Sequence, residues 1–207
     1  MAGLEAKHDL PAVGERLERQ IDFILEIDKA KGILRNTLIT DGSRRENDAE
    51  HSWHVALMAL ILTEYSATPV DPAKAAAMLL VHDLVEIDAG DTLIYDEAAR
   101  VEQTGREAAA AERIFNLLPP DQAREVRALW DEYEARATPE ARFAFALDRL
   151  QPLLHNYRTR GAAWKAHGVK SEQVFRINSP MEEGAPALWA YAKRLIQDAV
   201  REGFLEE

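Results

Sequence analysis

Apolar residues along this chain recur at three- and four-residue spacing, and no segment alternates convincingly, so the pattern predicts helices and no strands. From about Pro11 to Ala30, Leu17, Ile21, Ile24 and Leu25 recur among charged residues, which predicts an amphipathic helix packed on the core. The segment from Ile33 to Asp48 loses periodicity and carries the turn signal Asp41-Gly42-Ser43, so it reads as a loop. A second helix is expected from Asp48 or Ala49 to Ser66, with Trp53, Ala56, Leu57, Leu60 and Ile61 on one stripe. A third opens with Asp71 as N-cap and Pro72 at its first position. Further helices are expected at about 96–118, stopped by Pro119-Pro120, at about 121–136, from Thr138 through Leu154, and at about 183–204. The pair at 96–118 and 121–136 reads as structural. The expected fold class is all-α.

One stretch departs from simple amphipathicity. Residues Ala76 to Val81 are apolar on every side and belong in the protein's centre, where a charged group is costly unless it is paired. Yet His82-Asp83 follows at once, then Glu86, and beyond Gly90 comes Asp91. On a continuous helix Glu86 lies one turn past His82 on the same face, so imidazole and carboxylate can address one point. A divalent cation would supply the charge that Asp83 and Glu86 lack, and His with Asp suits several transition metals. Asp148, set among Phe145, Leu147 and Leu150, is expected to be buried or half-buried, with Pro152 four residues on kinking its helix. His51 falls in the first turn of the second helix, near free backbone donors and the loop mouth, where a ligand could reach it.

Composition narrows the classes. The 207 residues suffice for one domain with a real core, and 47% hydrophobic with 29% charged residues is ordinary for a globular protein. A net charge of −11, from 36 acidic and 25 basic residues, argues against a nonspecific nucleic-acid binder. With no cysteine there are no disulfides or thiolate ligands, so any metal must use His and carboxylates. The longest apolar run is too short for a bilayer span and the N-terminus lacks the apolar region of a signal peptide, so no membrane association and a cytoplasmic location are expected. In this acidic chain the basic segment from His155 to Arg176 is an expected place for phosphate contacts.

The ordered set His51, His82-Asp83 and Asp148, extended by Glu86, Gly90 and Asp91, resembles the HD-domain superfamily of metal-dependent phosphohydrolases. Within it, the segments Arg44 to Ser52 and His82 to Asp91 look like those of the bacterial 5′-deoxynucleotidase group and its uncharacterised relatives. The resemblance implies a single HD-domain helical bundle over 1–207, with a core of about 33–155 and one metal site at its centre. It implies His51, His82, Asp83 and Asp148 as ligands of one divalent ion (Mn, Co, Fe, Ni or Zn), and Glu86 and Asp91 as the groups flanking the reacting centre. Arg44, near His51, and Arg35 are candidate substrate-binding cations. His54 reads as a hydrogen-bonded core histidine. The deoxynucleotidases carry an Arg-Trp pair ahead of the first His, whereas this chain has Arg35-Asn36 and no Trp there. The implied activity is hydrolysis of a small phosphomonoester, foremost a nucleoside 5′-monophosphate. Hydrolysis of a nucleoside pyrophosphate or triphosphate, or nucleotide sensing without cleavage, are the alternatives. A homodimer is implied too, with the apolar C-terminal helix as a possible surface for it.

Overall fold

The computed structural model describes residues 14–95 and 97–207. Helices dominate: α1 (Glu15–Ile27), α2 (Asp48–Ile61), α3 (Pro72–Val81), α4 (Glu86–Ala89), α5 (Glu97–Phe115), α6 (Pro120–Ala135), α7 (Pro139–Arg158), α8 (Ala162–Ala166), α9 (Ser171–Asn178), α10 (Met181–Gly184) and α11 (Pro186–Arg201). One small antiparallel ribbon corrects the expectation of a loop: β1 (Leu34–Leu38) pairs with β2 (Arg45–Asn47). Asp41 accepts a hydrogen bond from the Ser43 amide at 2.8 Å, and Gly42 at φ 74° lets the chain reverse. Apolar alternation does not mark these strands because their inward positions carry charge, Glu46 being buried and Arg35 turned onto Asp83.

The core is built on α7. Thr138 caps its start by accepting from the Ala141 amide at 3.3 Å, and Pro139 supplies a preset first turn. Phe143, Ala144, Ala146, Leu147, Leu150 and Leu153 are buried along it, and α2, α3, α10 and α11 pack around them. Truncating fully buried Leu147 to Ala would cost about 2–5 kcal/mol. The helix continues through Pro152 to Arg158. At Gly184 α10 approaches so closely that an added Cβ would stand 2.1 Å from the Arg142 carbonyl oxygen.

Several faces differ from expectation. The α1 stripe of Leu17, Ile21, Ile24 and Leu25 is exposed, and the helix is held by Phe23, which packs against the cluster around Ile114 and Phe115, together with charged groups. Arg16 forms a two-pronged bond to Asp121, Arg19 reaches the Leu118 carbonyl at 2.6 Å, and Arg113 reaches Glu26 at 2.6 Å. Residues 11–13 of that expected helix, and Asp96 at the expected start of the 96–118 helix, lie outside the described residues. On α2 the inward face carries His51, Ser52, Val55, Ala56, Met58 and Ala59, leaving Trp53, Leu57, Leu60 and Ile61 outside. The small inward residues let α2 lie close to α3 and α7, and the polar site claims the face that apolarity alone would not select. α2 ends at Ile61, short of Ser66. The expected 183–204 helix is two helices, broken at Ala185, with Pro186 starting the second. α11 turns Leu188, Trp189, Ala192, Leu195, Ile196 and Ala199 into the core, so its apolar face is not available for pairing subunits. No helix among the described residues is long and apolar enough to cross a membrane.

Candidate metal centre

The Asn47 side chain accepts from the Glu50 amide at 3.0 Å, and Glu50 returns the contact to the Asn47 amide, so a capping box fixes the start of α2. His51 follows directly. It is fully buried rather than at an accessible mouth, because this turn of α2 faces α7. His51 Nε2 lies 3.0 Å from Asp148 Oδ1 and 3.8 Å from Asp83 Oδ2. His82 Nε2 lies 3.1 Å from Asp83 Oδ1 and 3.6 Å from Asp148 Oδ1. Donors around one ion at roughly 2.1 Å would stand about 3–3.5 Å apart, so these four side chains converge at nearly the spacing a metal needs.

Their outer contacts fit the same role. His82 Nδ1 donates to the Leu79 carbonyl at 2.8 Å, and His51 Nδ1 donates to Gln151 Oε1 at 3.2 Å, so in the neutral rings both Nε2 atoms carry no hydrogen and are available to ligate. His82 Nε2 is buried without a hydrogen bond, and His51, His82 and Asp83 can place ligand atoms within 4.8 Å of one another. Two imidazoles and carboxylates of this kind suit a divalent transition metal.

The chain after α3 departs from the expected continuous helix. His82 to Val85 form a tighter 3₁₀ turn before α4 begins at Glu86. The change of pitch moves Glu86 off the His82 line, and it groups with Asp48 and Asp83 instead. Asp83 is therefore common to two clusters, one with the histidines and one with carboxylates. Gly90, at φ 77° and ψ 151°, turns the chain so that Asp91 Oδ2 accepts from the Asn36 amide at 3.1 Å and from its side chain at 2.8 Å.

The electrostatics follow from five acids sharing one region. Burial, then Asp83 and Asp48, push the Glu86 carboxyl well above the usual range. Burial, then Asp83, push Asp48 up to about 7. Burial also raises Asp91, against the pull of Arg35. Against the same burial cost, His82 and Arg35 hold Asp83 low, and Arg149, His51 and His82 hold Asp148 well below its ordinary value. Burial and Arg35 press His51 down, but its bond to Asp148 and the Glu46 carboxylate 3.7 Å away prevail and lift it to about 9. Arg35 sits centrally, 2.5 Å from Asp83, 3.6 Å from Asp48 and 3.8 Å from Glu46.

His82, Asp83, Glu86, Asp91 and Asp148 line a cavity of about 320 Å³, with Arg35, Arg136 and Arg149 as its cations. Arg136 and Arg149 stack on the Phe145 ring at 4.5 and 4.9 Å.

A family model described as HD domain matches residues 27–189. The chain belongs to the HD domain family. Among its HD domain relatives, 5′-deoxynucleotidase HDDC2 of Homo sapiens is 32% identical over 135 residues, spanning 65% of this chain and 65% of the human protein's length. The protein of that name from Bos taurus is 32% identical over 142 residues, spanning 68% of each chain. In three dimensions the chain is similar to a crystal structure of a predicted metal-dependent phosphohydrolase from Magnetospirillum magnetotacticum MS-1, with a TM-score of 0.87 and 57% identity over 93% of this chain and 99% of that one. PH0347 protein from Pyrococcus horikoshii OT3 shares the fold at 24% identity and a TM-score of 0.62, over 88% of this chain and 99% of that one.

In this HD domain the fold brings His51, His82, Asp83 and Asp148 together, with Glu86, Asp91 and Arg35 beside them. It does not bring Arg44, which stands exposed in a two-pronged bond to Glu50 at 2.7 and 2.8 Å. The segment from His155 to Arg176 lines the cavity through Asn156, Ala163, Trp164 and Val169, but not through its basic side chains His155, Arg158, Arg160, Lys165, His167, Lys170 or Arg176. Reading 96–118 and 121–136 as purely structural is also corrected. Gln103 and Glu107 of α5 line the cavity, and Tyr133 of α6 donates to Asp148 Oδ2 at 3.0 Å. The sequence reading missed Asp48, Tyr133, Arg149 and Gln151. Asp48 was findable as the acid one turn before His51, and Gln151 as the amide one turn after Asp148.

Proposed function

We propose that this chain is a metal-dependent phosphomonoesterase acting on a nucleoside 5′-monophosphate, with His51, His82, Asp83 and Asp148 holding the ion. The observation that carries the reading is the convergence of two imidazole Nε2 atoms on Asp83 and Asp148 at one wall of a cavity edged by Glu86 and Asp91. When bound, the ion, Mn, Co, Fe, Ni or Zn, would supply Lewis acidity toward a phosphate oxygen and toward water. Arg35 and Arg149 meet the phosphoryl oxygens as guanidinium donors. Glu86 takes the proton of the attacking water, and Asp91, held by Asn36, returns a proton to the departing ester oxygen. The nucleoside occupies the part of the cavity that includes Tyr95 and Trp164, whose rings suit a base or sugar. The names of the curated relatives support the nucleotide assignment.

The test is phosphate release from a panel of nucleoside mono-, di- and triphosphates by metal-stripped protein reloaded with Mn²⁺, Co²⁺, Zn²⁺ or Mg²⁺. Release from monophosphates, absent in Asp83→Ala and in a Glu86→Gln variant that still binds metal, is the expected result. Pyrophosphate or diphosphate products would move the assignment to anhydride cleavage, and silence from metal-loaded protein would move it to nucleotide sensing.

The same reading includes a homodimer. Supporting it are the outward apolar residues Leu17, Ile21, Ile24 and Leu25 on α1 and Trp53, Leu57, Leu60 and Ile61 on α2. Sedimentation should show a dimer that Ile61→Glu dissociates; a monomer at all concentrations would refute it.

A further inference from the structure

A second cluster of ligand-type side chains lies behind His51, outside the cavity lining. β2 contributes Glu46, α2 contributes His54 one turn beyond His51, and α7 contributes His155 one turn beyond Gln151. Glu46 and His155 are buried and His54 is half-buried. Each of the three can offer one ligand atom such that all lie within 4.8 Å of one another.

The amide nitrogen of Gln151 stands among them, 2.5 Å from Glu46 Oε1, 3.2 Å from His155 Nε2 and 3.4 Å from His54 Nδ1. An amide NH₂ has two hydrogens, so three acceptors compete for two donors. Glu46 Oε2 is buried without any hydrogen bond, and the charged partners His51 Nδ1 and Arg35 Nε stand 3.7 and 3.8 Å away. His155 Nδ1, which carries the ring hydrogen when Nε2 accepts, lies 3.9 Å from Glu46 Oε1 and has no hydrogen-bond partner either. Unpaired buried polar groups are costly, and a cation ligated by Glu46 and by one nitrogen of each neutral imidazole would satisfy the acceptors that the single Gln151 amide cannot serve.

We propose that Glu46, His54 and His155 form a second transition-metal site, of the Zn²⁺ or Co²⁺ class, separate from the centre at Asp83. Two imidazoles and one carboxylate are a borderline nitrogen and oxygen set that favours such ions over Mg²⁺ or Ca²⁺. The amide of Gln151 gives way to the ion, and by turning over presents Oε1 as a further ligand. Because Oε1 is also the acceptor for His51 Nδ1, filling the second site withdraws the contact that orients His51, and the two sites are linked.

The test is metal stoichiometry of the full chain, by elemental analysis after equilibrium dialysis against Zn²⁺, with Co²⁺ absorption as a second readout. Wild type is expected to bind two equivalents and Asp83→Ala one. Both that remaining equivalent and its Co²⁺ spectrum should be lost in Asp83→Ala/His155→Ala. His54→Gln, at the half-buried position least able to disturb folding, should bind one equivalent in the wild-type background, with circular dichroism showing the fold intact. One equivalent in wild type and none in Asp83→Ala, or unchanged stoichiometry in both His54→Gln and His155→Ala, would overturn the proposal and leave a hydrogen-bonded network only. None of these readouts depends on phosphate release, so the second site and the hydrolase reading stand or fall separately.

Discussion

Tyr133 donates its phenolic hydrogen to Asp148 Oδ2 at 3.0 Å, while the other oxygen of that carboxylate faces His51 Nε2 at 3.0 Å. The phenol therefore fixes which oxygen of Asp148 remains for a metal. It also lies edge-on to His82, with ring centroids 5.0 Å apart, so one α6 residue restrains two of the four proposed ligands. Tyr133→Phe keeps the ring and deletes the donor. Loss of a buried hydrogen bond to a charged group should cost about 1.5–3 kcal/mol in denaturant unfolding. Metal affinity, read by chelator competition, should fall about 10–100-fold. Unchanged affinity would show that Arg149, 3.4 Å from the same oxygen, suffices to orient Asp148.

Asp48 sets a pH dependence in metal-free protein. Both its oxygens are buried without a hydrogen bond, and burial beside Asp83 lifts its pKa from near 4 to about 7. Between those values the folded chain binds a proton that the unfolded chain does not. Its contribution is therefore complete below about pH 4 and is lost as pH rises through 7, by up to about 4 kcal/mol. Glu86, raised by the same causes, adds in the same direction. Urea unfolding in chelator should show stability falling from pH 5 to pH 8, and Asp48→Asn should flatten much of that slope. An equal slope in the variant would assign the proton elsewhere.

The turn at Gly90 couples backbone to chemistry. Its φ of 77° with ψ of 151° lies in a region essentially reserved for glycine, and the next residue is Asp91. Gly90→Ala should destabilise by about 1–3 kcal/mol. If the chain relaxes instead, the Asn36 to Asp91 contacts break and kcat drops while KM and bound metal persist. Wild-type stability together with wild-type kcat would show that the turn geometry is dispensable.

The proposed ligands are legible in the sequence because burial made them conspicuous. His82-Asp83 follows a helix with no polar face, and Asp148 sits among Phe145, Leu147 and Leu150, so each polar group stands out. Tyr133 was hidden for the opposite reason: an aromatic residue at helical spacing reads as core, and its hydroxyl carries no pattern. The same averaging misplaced the α1 and α2 stripes, since spacing gives the width of an apolar face and not what covers it. β1 and β2 escaped because Arg35 and Glu46 occupy the inward positions that alternation would require to be apolar.

Arg35 provides the sharpest test of how the acidic region is neutralised. Its guanidinium lies within 4 Å of Asp83, Asp48 and Glu46, and its side chain is 13% exposed, so the solvent relieves little of their mutual repulsion. Arg35→Gln leaves these carboxylates without their shared cation, and breaking a buried pair of this kind costs about 3–5 kcal/mol. A divalent ion held by Asp83 would offset the same charge, so saturating Mn²⁺ or Zn²⁺ should shrink that loss. Arg35→Lys should recover part of it, because an ammonium supplies charge without the planar fork that spans three partners. The measurement is urea unfolding of wild type, Arg35→Gln and Arg35→Lys with chelator and with saturating metal. A penalty for Arg35→Gln that is equal in both conditions would mean that Arg35 and the ion act on different charges, and the placement of the metal at Asp83 would have to be abandoned.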